Sequence, residues 1–276
     1  MKTYLIPLLA ILIANVATSA TSATSAEIPV LSFCIPPQQS PTELTKRWTP
    51  VLQYLTEQSG LTLQLKTAKD IPTYQQQVMA GHCEIAYMSP SSYVAANKAS
   101  GYHAFAKEKD GKSSAMIVVR KEGPIKHLSQ LSGQTMAFPS STAFMATILP
   151  LKQLEAEKVA VKAQYVVSID SVYRSVAKGL FVAGGGEART FGALDSGIRD
   201  QLTLLWQSDE LPPFPFFAHP RVPLETLGKL QKAMIEMGQD AHGQALLKVV
   251  NIKALGKADD AEYNSVRKMN KSIEVK

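Results

Sequence analysis

The sequence predicts an α/β fold with mainly parallel sheets, arranged in two lobes of similar design. Segments typical of strands alternate along the chain with segments of helical period, which is the pattern of βαβ units. The segment "PVLSFCI" (29–35) is apolar throughout, as expected of a parallel strand buried on both faces. Because the alternation starts again after "SAMIVVR" (114–120), we expect the second half to form a lobe that resembles the first.

The first 26 residues have the composition of a secretory signal peptide. Lys2 supplies a positive start, and the apolar run 4–16 is too short to span a bilayer comfortably. A tract of small residues follows, with cleavage points after Ala20, Ala23 or Ala26. We therefore expect an exported, periplasmic protein of roughly 250 residues. No cysteine lies near the cleavage points, so no lipid anchor is expected.

The charge of the chain is modestly positive and evenly spread. Lys and Arg number 29 against 23 Asp and Glu, which gives a formal net charge of +6, and no basic block stands out. Nucleic-acid binding requires clustered basic residues and is excluded, whereas a mild positive balance suits small anions. No apolar run after the signal reaches membrane-spanning length, so the mature chain is not expected to span a membrane.

The first half of the chain contains a well-marked helix. Ser40, Pro41 and Glu43 form an N-cap, a first-turn proline and a capping-box acid, and Gly60 ends the helix. Its apolar stripe consists of Leu44, Trp48, Val51, Leu52 and Leu55. The elements expected next are a strand at 61–67, a helix at 71–81, a strand at 84–88 and a helix at 89–101.

The second half repeats the scheme from strand to strand. The expected elements are strands at 114–120 and 134–138, a helix-like segment at 143–157, a strand at 163–168, a helix at 170–179 and a strand at 180–186. The last strand ends in "GGG" (184–186), which lacks the spacing of a dinucleotide-binding fingerprint. We interpret the three glycines as close backbone packing near a cleft, or as a ligand-facing nest.

The two cysteines are predicted to be free, mostly buried thiols. Cys34 comes near the end of the first strand, and Cys83 begins the third. If these strands are parallel neighbours, the two residues lie roughly 10 Å or more apart, at about 3.3 Å per residue. That separation exceeds the reach of a disulfide.

Three polar junctions fall where a predicted strand gives way to a helix: "QQS" (38–40), "SPSS" (89–92) and "PSST" (139–142). In open α/β sheets, ligands bind at the carboxyl ends of strands, beside the helix starts. Hydroxyls and unpaired N–H groups at the positive end of a helix suit an anion. The hydroxyls of 140–142 are therefore either a cap within a Ser-rich turn or part of an anion cradle.

Five segments carry a family resemblance in their order along the chain: "PPQQSP…RWTPVLQYL", "YQQQVMAGHCEIAYMSPSSYVAA", "GQTMAFPSSTAF", "SVYRSVAKG…GGGEARTF" and "PFPFFAHPRVP". They resemble the phosphate-, phosphite- and phosphonate-binding proteins of ABC importers. The resemblance implies a type II periplasmic-binding-protein fold, with a ligand cleft between two lobes joined by crossing strands. Lobe 1 would comprise residues 27–115 and 213–276, and lobe 2 residues 116–212. The resemblance also implies that residues 220–276 pack against lobe 1.

The resemblance further implies which residues contact the ligand. The family's oxyanion lies at the Ser/Thr-rich helix start. The matching ligand-binding positions are Ser140, Ser141 and Thr142 at that start, Tyr74 on the second helix, Ser89, Ser91 and Ser92 after the third strand, Gln38 and Gln39 in the first loop, and Asp170. By its position, Arg189 pairs either with an anion or with a surface acid, and Tyr74 could equally be half-buried core.

Two positions depart from the family pattern. Ile169 stands where some relatives have a histidine, and Val182 where many have an acid. A different oxyanion, or a larger or more apolar ligand, therefore remains open. No metal site is expected, because the five histidines show no metal-ligand spacing, and no nucleophile motif surrounds either cysteine.

We expect an exported solute-binding protein, without enzymatic activity or cofactor, that acts as a monomer. It captures a small oxyanion such as phosphonate, phosphite or phosphate and hands it to an ABC permease. The alternative is a ligand-sensing subunit of the same fold that acts on the periplasmic domain of a sensor kinase. An exported enzyme of unknown type is the more distant alternative.

Overall fold

The computed structural model describes Met1 and residues 30–274 of the chain. Apart from Met1, the predicted signal peptide lies outside the described residues. The described chain forms two sheets, one of six strands and one of five. We call the six-stranded sheet with its helices lobe 1, and the five-stranded sheet with its helices lobe 2.

The bounds of the elements are as follows. The strands are β1 Val30–Cys34, β2 Thr62–Lys66, β3 Ile85–Tyr87, β4 His103–Glu108, β5 Ala115–Arg120, β6 Thr135–Phe138, β7 Lys162–Tyr165, β8 Ala183–Glu187, β9 Leu202–Gln207, β10 Pro215–Ala218 and β11 Leu255–Lys257. The helices are α1 Pro41–Ser59, α2 Ile71–Met79, α3 Pro90–Ser100, α4 Leu149–Ala156, α5 Ile169–Ala177, α6 Ala188–Gly192, α7 Ser196–Arg199, α8 Leu224–Glu236, α9 Ala241–Val249 and α10 Asn264–Glu274. A π-helical turn, Phe144–Ile148, leads directly into α4.

The strand order is β11-β4-β10-β3-β1-β2 in lobe 1 and β7-β6-β8-β5-β9 in lobe 2. β1 pairs in parallel with β2 and β3, and β6 with β7 and β8. The other pairs are antiparallel. Each of them contains β4, β5, β9 or β10, the strands that come directly before or after a segment running from one lobe to the other. The predicted two-lobed α/β fold is confirmed, with the difference that each sheet is mixed.

The chain passes between the lobes twice, at residues 109–114 and 208–214. The two connections lie side by side, because the backbones of Ser113 and Leu211 exchange hydrogen bonds of 3.0 and 2.8 Å. After the second crossing, α8 and α9 pack on α1, and α10 packs on α3. The three C-terminal helices therefore lie against helices of lobe 1.

Helix α1 follows the expectation from its sequence, except that the Glu43 side chain pairs with Arg47 instead of completing a capping box. The side chain of Ser40 accepts a hydrogen bond from the backbone N–H of Glu43, and Gly60 ends the helix in the left-handed conformation. The whole predicted apolar stripe is buried in the core of lobe 1. This packing fixes the start of α1, and with it the loop after β1, which carries Gln38.

Cys34 and Cys83 form a disulfide with Cα atoms 6.1 Å apart, so the prediction of free thiols is wrong. β1 and β3 are parallel neighbours as expected, and Cys34 lies opposite Ala86. The error concerns where β3 begins. The strand starts only at Ile85, and Cys83 precedes it, in the irregular segment between the left-handed Gly81 and a bend at Glu84. The spacing of an extended strand therefore does not apply to Cys83.

Candidate functional site

A small cavity lies between the two lobes, where β1, β3, β6 and β8 end. Its volume is about 40 Å³, and since about 10–15 Å³ holds one water, it has room for a solute of a few heavy atoms. Lobe 1 and the second connection contribute Pro36, Gln38, Ile71, Tyr74, Gln75, Met88, Ser89, Ser92 and Phe214. Lobe 2 contributes Ala143, Phe144, Met145, Ala146, Ile169 and Glu187.

Four helices begin at this cavity. Ile71 and Ile169 are the first residues of α2 and α5, Ser89 is the N-cap of α3, and Ala143 is the N-cap of the π-helical turn that continues into α4. The N-terminus of a helix carries a partial positive charge and unpaired N–H groups. Four such ends around one cavity create an environment that favours an anion.

The helix start after β6 differs from the other three in its capping. Side chains of Asp70, Ser89 and Ser168 cap α2, α3 and α5, whereas no side chain caps the turn that begins after Ala143. The first-turn N–H groups belong to residues 144–146, and all three of these residues line the cavity. Backbone donors are therefore available to a ligand at this point.

The three hydroxyls of "PSST" precede this uncapped turn. Ser140 is buried, and its Oγ lies 3.4 Å from Oγ1 of Thr142. Ser141 and Thr142 are exposed, and the cavity wall begins at the next residue, Ala143. Since none of the three caps the helix, the capping interpretation does not explain them. Their role as an anion cradle stays a prediction.

The second polar junction divides into two groups. Ser89 and Ser92 line the cavity with their Oγ atoms 2.9 Å apart, whereas Ser91 Oγ donates a 2.9 Å hydrogen bond to Asn270 of α10. Gln75, which sequence reasoning missed, donates from Nε2 to Ser92 Oγ and to the backbone carbonyl of Thr142, so that it joins the lobes at the cavity. The structure therefore brings Ser89 and Ser92 to the cavity and leaves Ser91 outside it.

Tyr74 lines the cavity between the lobes. Its hydroxyl donates into the core of lobe 1, at 2.8 Å from the carbonyl of Cys34 and 3.2 Å from that of Tyr87. Burial raises the pKa of Tyr74 well above its ordinary value, so the hydroxyl keeps its proton. Because that single proton is directed at backbone carbonyls, Tyr74 contributes an aromatic wall.

Glu187 is the main residue of the site that sequence reasoning missed. It ends β8, is almost completely buried, and accepts a 2.7 Å hydrogen bond from Gln38 Nε2 and one of 2.5 Å from Thr190 Oγ1. The hydroxyl of Tyr173 holds its backbone on both sides, at 2.9 Å from the carbonyl and 2.8 Å from the N–H. The signal available in the sequence was an acid directly after the predicted strand 180–186, at the sheet edge where ligands bind in open α/β folds.

The triple glycine before Glu187 is explained by close packing. A Cβ on Gly185 would meet the carbonyl oxygen of Ala146 at 2.0 Å, and one on Gly186 would meet the Tyr173 hydroxyl at 2.2 Å. β8 can therefore press against the π-helical turn and α5 only without side chains. This contact places Glu187 and residues 143–146 in the same cavity wall.

Gln39 and Arg189 lie beside the cavity. Together with Gln38 they line a second, smaller space of about 20 Å³ under α1. The guanidinium of Arg189 lies over the rings of Tyr87 and Phe214, at 5.4 and 5.0 Å from their centroids.

Asp170 is paired within its own helix. It accepts a 2.7 Å hydrogen bond from Arg174, while its neighbour Ile169 lines the cavity. Val182 is the other position that departs from the family pattern. It is partly buried and packs on a hydrophobic cluster of lobe 2 that does not include Ile169.

Two further findings concern residues 30–274. No group of three or more His, Cys, Asp and Glu side chains is arranged there to hold a metal ion. No helix within the same range is long and apolar enough to cross a membrane.

Comparisons with solved structures show the same fold. A binding protein component of an ABC phosphonate transporter from Pseudomonas aeruginosa superposes with a TM-score of 0.80 at 17% identity, over 90% of this chain and 87% of that one. PhnD1 from Prochlorococcus marinus, in complex with methylphosphonate, gives 0.79 at 17% identity, over 89% and 98% of the two chains. A Xanthomonas citri protein bound to chloride gives 0.70 at 15% identity, over 89% and 97%.

Family membership rests on a separate comparison. The family model described as "ABC transporter, phosphonate, periplasmic substrate-binding protein" matches residues 33–263, which include both sheets apart from the first three residues of β1, and every residue of the cavity wall. The type II periplasmic-binding-protein fold and the solute-binding role expected from the sequence are thereby confirmed. The chain belongs to the family of periplasmic substrate-binding proteins of ABC phosphonate transporters.

Proposed function

We propose that this protein captures a small tetrahedral oxyanion with an apolar substituent, of the alkylphosphonate class, and delivers it to an ABC permease. The observation that carries the proposal is the convergence of four helix N-termini, one of them uncapped, on a cavity with largely apolar walls.

The charge of the ligand is met by backbone groups. The N–H groups of residues 144–146 lie at the N-terminal, positive end of the helix and point out of it, and no side chain caps them. Hydrogen bonds to a charged acceptor contribute more than those to neutral ones, about 1.5–3 kcal/mol each. Three such donors are sufficient to fix an oxyanion in place without a metal or a lysine.

Hydroxyl donors add to these groups. Ser89 and Ser92 have two O–H groups between them, and their mutual 2.9 Å contact uses only one. Ser89 Oγ also accepts the N–H of Ser92, and Ser92 Oγ accepts from Gln75. One hydroxyl proton is therefore left to donate toward the cavity that both residues line. Ser141 and Thr142 would complete the cradle from the exposed side.

The remaining walls determine which oxyanion fits. Ile71, Met88, Phe144, Ile169 and Phe214 offer no polar side-chain atom other than the thioether of Met88, and they suit an alkyl group or a P–H bond. Glu187 places a carboxylate in the same wall. An anion that carries a proton can donate to this carboxylate, whereas sulfate has no proton to donate and meets a like charge.

Export and transport complete the proposal. The N-terminal sequence is that of a cleavable signal, and N-terminal sequencing of the mature protein should begin after Ala20, Ala23 or Ala26. Delivery to a permease is favoured over sensing because the matching family model describes ABC transporter proteins. We infer a monomer, with lobe boundaries near residues 115 and 212.

Thermal-shift screening tests the ligand class. The panel is methylphosphonate, phosphite, phosphate and sulfate, each at equal concentration. A ligand at about 100 times its Kd stabilises the fold by about 2.7 kcal/mol, which raises Tm by several degrees in a chain of this size. We expect methylphosphonate to give the largest shift and sulfate the smallest. No shift with any phosphorus oxyanion, or an equal shift with sulfate, would contradict the proposal.

A further inference from the structure

Arg189 connects the lobes without contacting the ligand cavity. The residue belongs to α6 of lobe 2, but its guanidinium lies over Tyr87 of lobe 1 and Phe214 of the second connection. It is largely buried, and its Nε has no hydrogen-bond partner among the described residues. The ring faces, which attract cations, are therefore a substantial part of what holds this end of the side chain in place.

The other end of the guanidinium closes a three-residue network. Arg189 Nη2 donates to Gln38 Oε1 and lies 3.3 Å from Glu187 Oε1, while Gln38 Nε2 donates to the same Glu187 oxygen. The backbone of Gln38 adds a second link, since its carbonyl accepts the N–H of Asp170 at 3.2 Å. Gln38 of lobe 1 is thus held by three residues of lobe 2.

Further contacts dock the rest of α6 on lobe 1. Asn251 Nδ2 donates to the carbonyl of Arg189 at 2.7 Å, and Arg47 Nη1 donates to that of Ala193 at 3.4 Å. All of these contacts join groups of the chain itself, so they add to whatever a bound ligand contributes to closure.

The network is also suited to release. If the lobes part, Arg189 keeps its partner Glu187, which lies two residues away in the same lobe, and water replaces the bond to Gln38. Opening therefore leaves no charge buried and unpaired. Such a contact favours closure without making it permanent.

We propose that Arg189 is an inter-lobe latch, a positioning residue that favours the closed arrangement of the lobes and holds Gln38 and Glu187 in the cavity wall. The affinity for ligand falls in proportion to the fraction of molecules whose lobes are closed. Loss of the latch should therefore weaken ligand binding, although Arg189 lies outside the ligand cavity. The effect on affinity rests on the proposed function, whereas the effect on shape does not.

Small-angle scattering of the unliganded protein tests the latch. The samples are wild type, Arg189→Ala, Arg189→Lys and the control Arg174→Ala, which removes an arginine ion pair that lies within lobe 2. A compact chain of this size has a radius of gyration of about 18 Å, and we expect Arg189→Ala to exceed wild type by about 1 Å. Arg189→Lys keeps the charge over the rings and should lie between the two, and Arg174→Ala should match wild type.

Titration with methylphosphonate supplies the second measurement. We expect Arg189→Ala to bind at least about tenfold more weakly, with a faster dissociation rate and compaction on saturation. If no variant binds any oxyanion, the ligand proposal fails while the scattering still decides the latch. If Arg189→Ala does not fold, Gln38→Ala removes the acceptor of the latch and should expand in its place. If Arg189→Ala or Gln38→Ala folds and has the same radius of gyration as wild type, the latch proposal is overturned.

Discussion

The amide nitrogen of Gln38 donates a 2.7 Å hydrogen bond to the carboxylate of Glu187, and this contact joins residues 149 positions apart in two different lobes. Both side chains are buried, and both line the cavity between the lobes. The site is therefore complete only when the lobes are closed, and changes in this pair should affect both ligand selection and stability.

Glu187→Gln removes the negative charge from the cavity wall while keeping the size of the side chain. We expect the affinity for sulfate relative to methylphosphonate to rise by about tenfold or more, equivalent to about 1.4 kcal/mol, because sulfate no longer meets a like charge. Stability should fall, since breaking a buried ion pair costs about 3–5 kcal/mol. Calorimetric titrations with both anions measure the ratio, and an unchanged ratio would contradict the role given to the carboxylate.

Ser141→Ala combined with Thr142→Ala tests the exposed side of the cradle. Because neither hydroxyl caps the following helix, we expect little change in Tm. Affinity should fall by at least about tenfold if one charge-assisted hydrogen bond is lost, and by about a hundredfold if two are. Titration with methylphosphonate measures the loss. Binding equal to that of wild type would assign the two hydroxyls to turn chemistry.

Replacing both Cys34 and Cys83 by Ala should lower stability substantially. The bridge spans 49 residues, for which chain entropy gives about 4 kcal/mol. In a chain of this size the loss corresponds to a fall in Tm of about 8–16 °C. Differential scanning calorimetry measures it. As a check on the bridge itself, unreduced, unfolded wild type should not react with a thiol-alkylating reagent, and alkylation of both cysteines would contradict the structure.

Glu84 provides a pH-dependent contribution to stability near the disulfide. Burial acts to raise its pKa, but hydrogen bonds from Ser32 and Arg221 outweigh burial and lower the pKa below the ordinary 4.5. A lowered pKa in the folded state means stabilisation that is complete above the ordinary value and is lost as pH falls through the lowered one. Glu84→Gln should therefore lower Tm at about pH 7 and match wild type near pH 2. If Glu84→Gln lowered Tm by the same amount at both pH values, this assignment would be contradicted.

Local sequence signals predicted the fold well. Ser40, Gly60 and the apolar stripe between them determined α1, and two of the three polar junctions after strands, 38–40 and 89–92, contribute residues to the cavity wall. Such features depend on neighbouring residues only, which is why they could be read without tertiary structure.

Contacts between distant segments could not be predicted in this way. The disulfide depended on a bend that delays the start of β3, and the place of Glu187 depended on glycines that bring β8 against a turn from another part of lobe 2. Ser91 and Ser92 are adjacent in sequence, but the packing of α10 on α3 directs only one of them to the cavity.

Ser89→Ala combined with Ser92→Ala, compared with Ser91→Ala, tests the account most directly. All three hydroxyls lie at the start of α3, but the hydroxyl of Ser91 donates a hydrogen bond to Asn270 outside the cavity. In calorimetric titration with methylphosphonate, we expect the double variant to bind at least about tenfold more weakly than wild type, equivalent to about 1.4 kcal/mol, and Ser91→Ala to bind within about threefold of wild type. Equal affinities in the double variant and in Ser91→Ala would contradict an oxyanion site at this cavity.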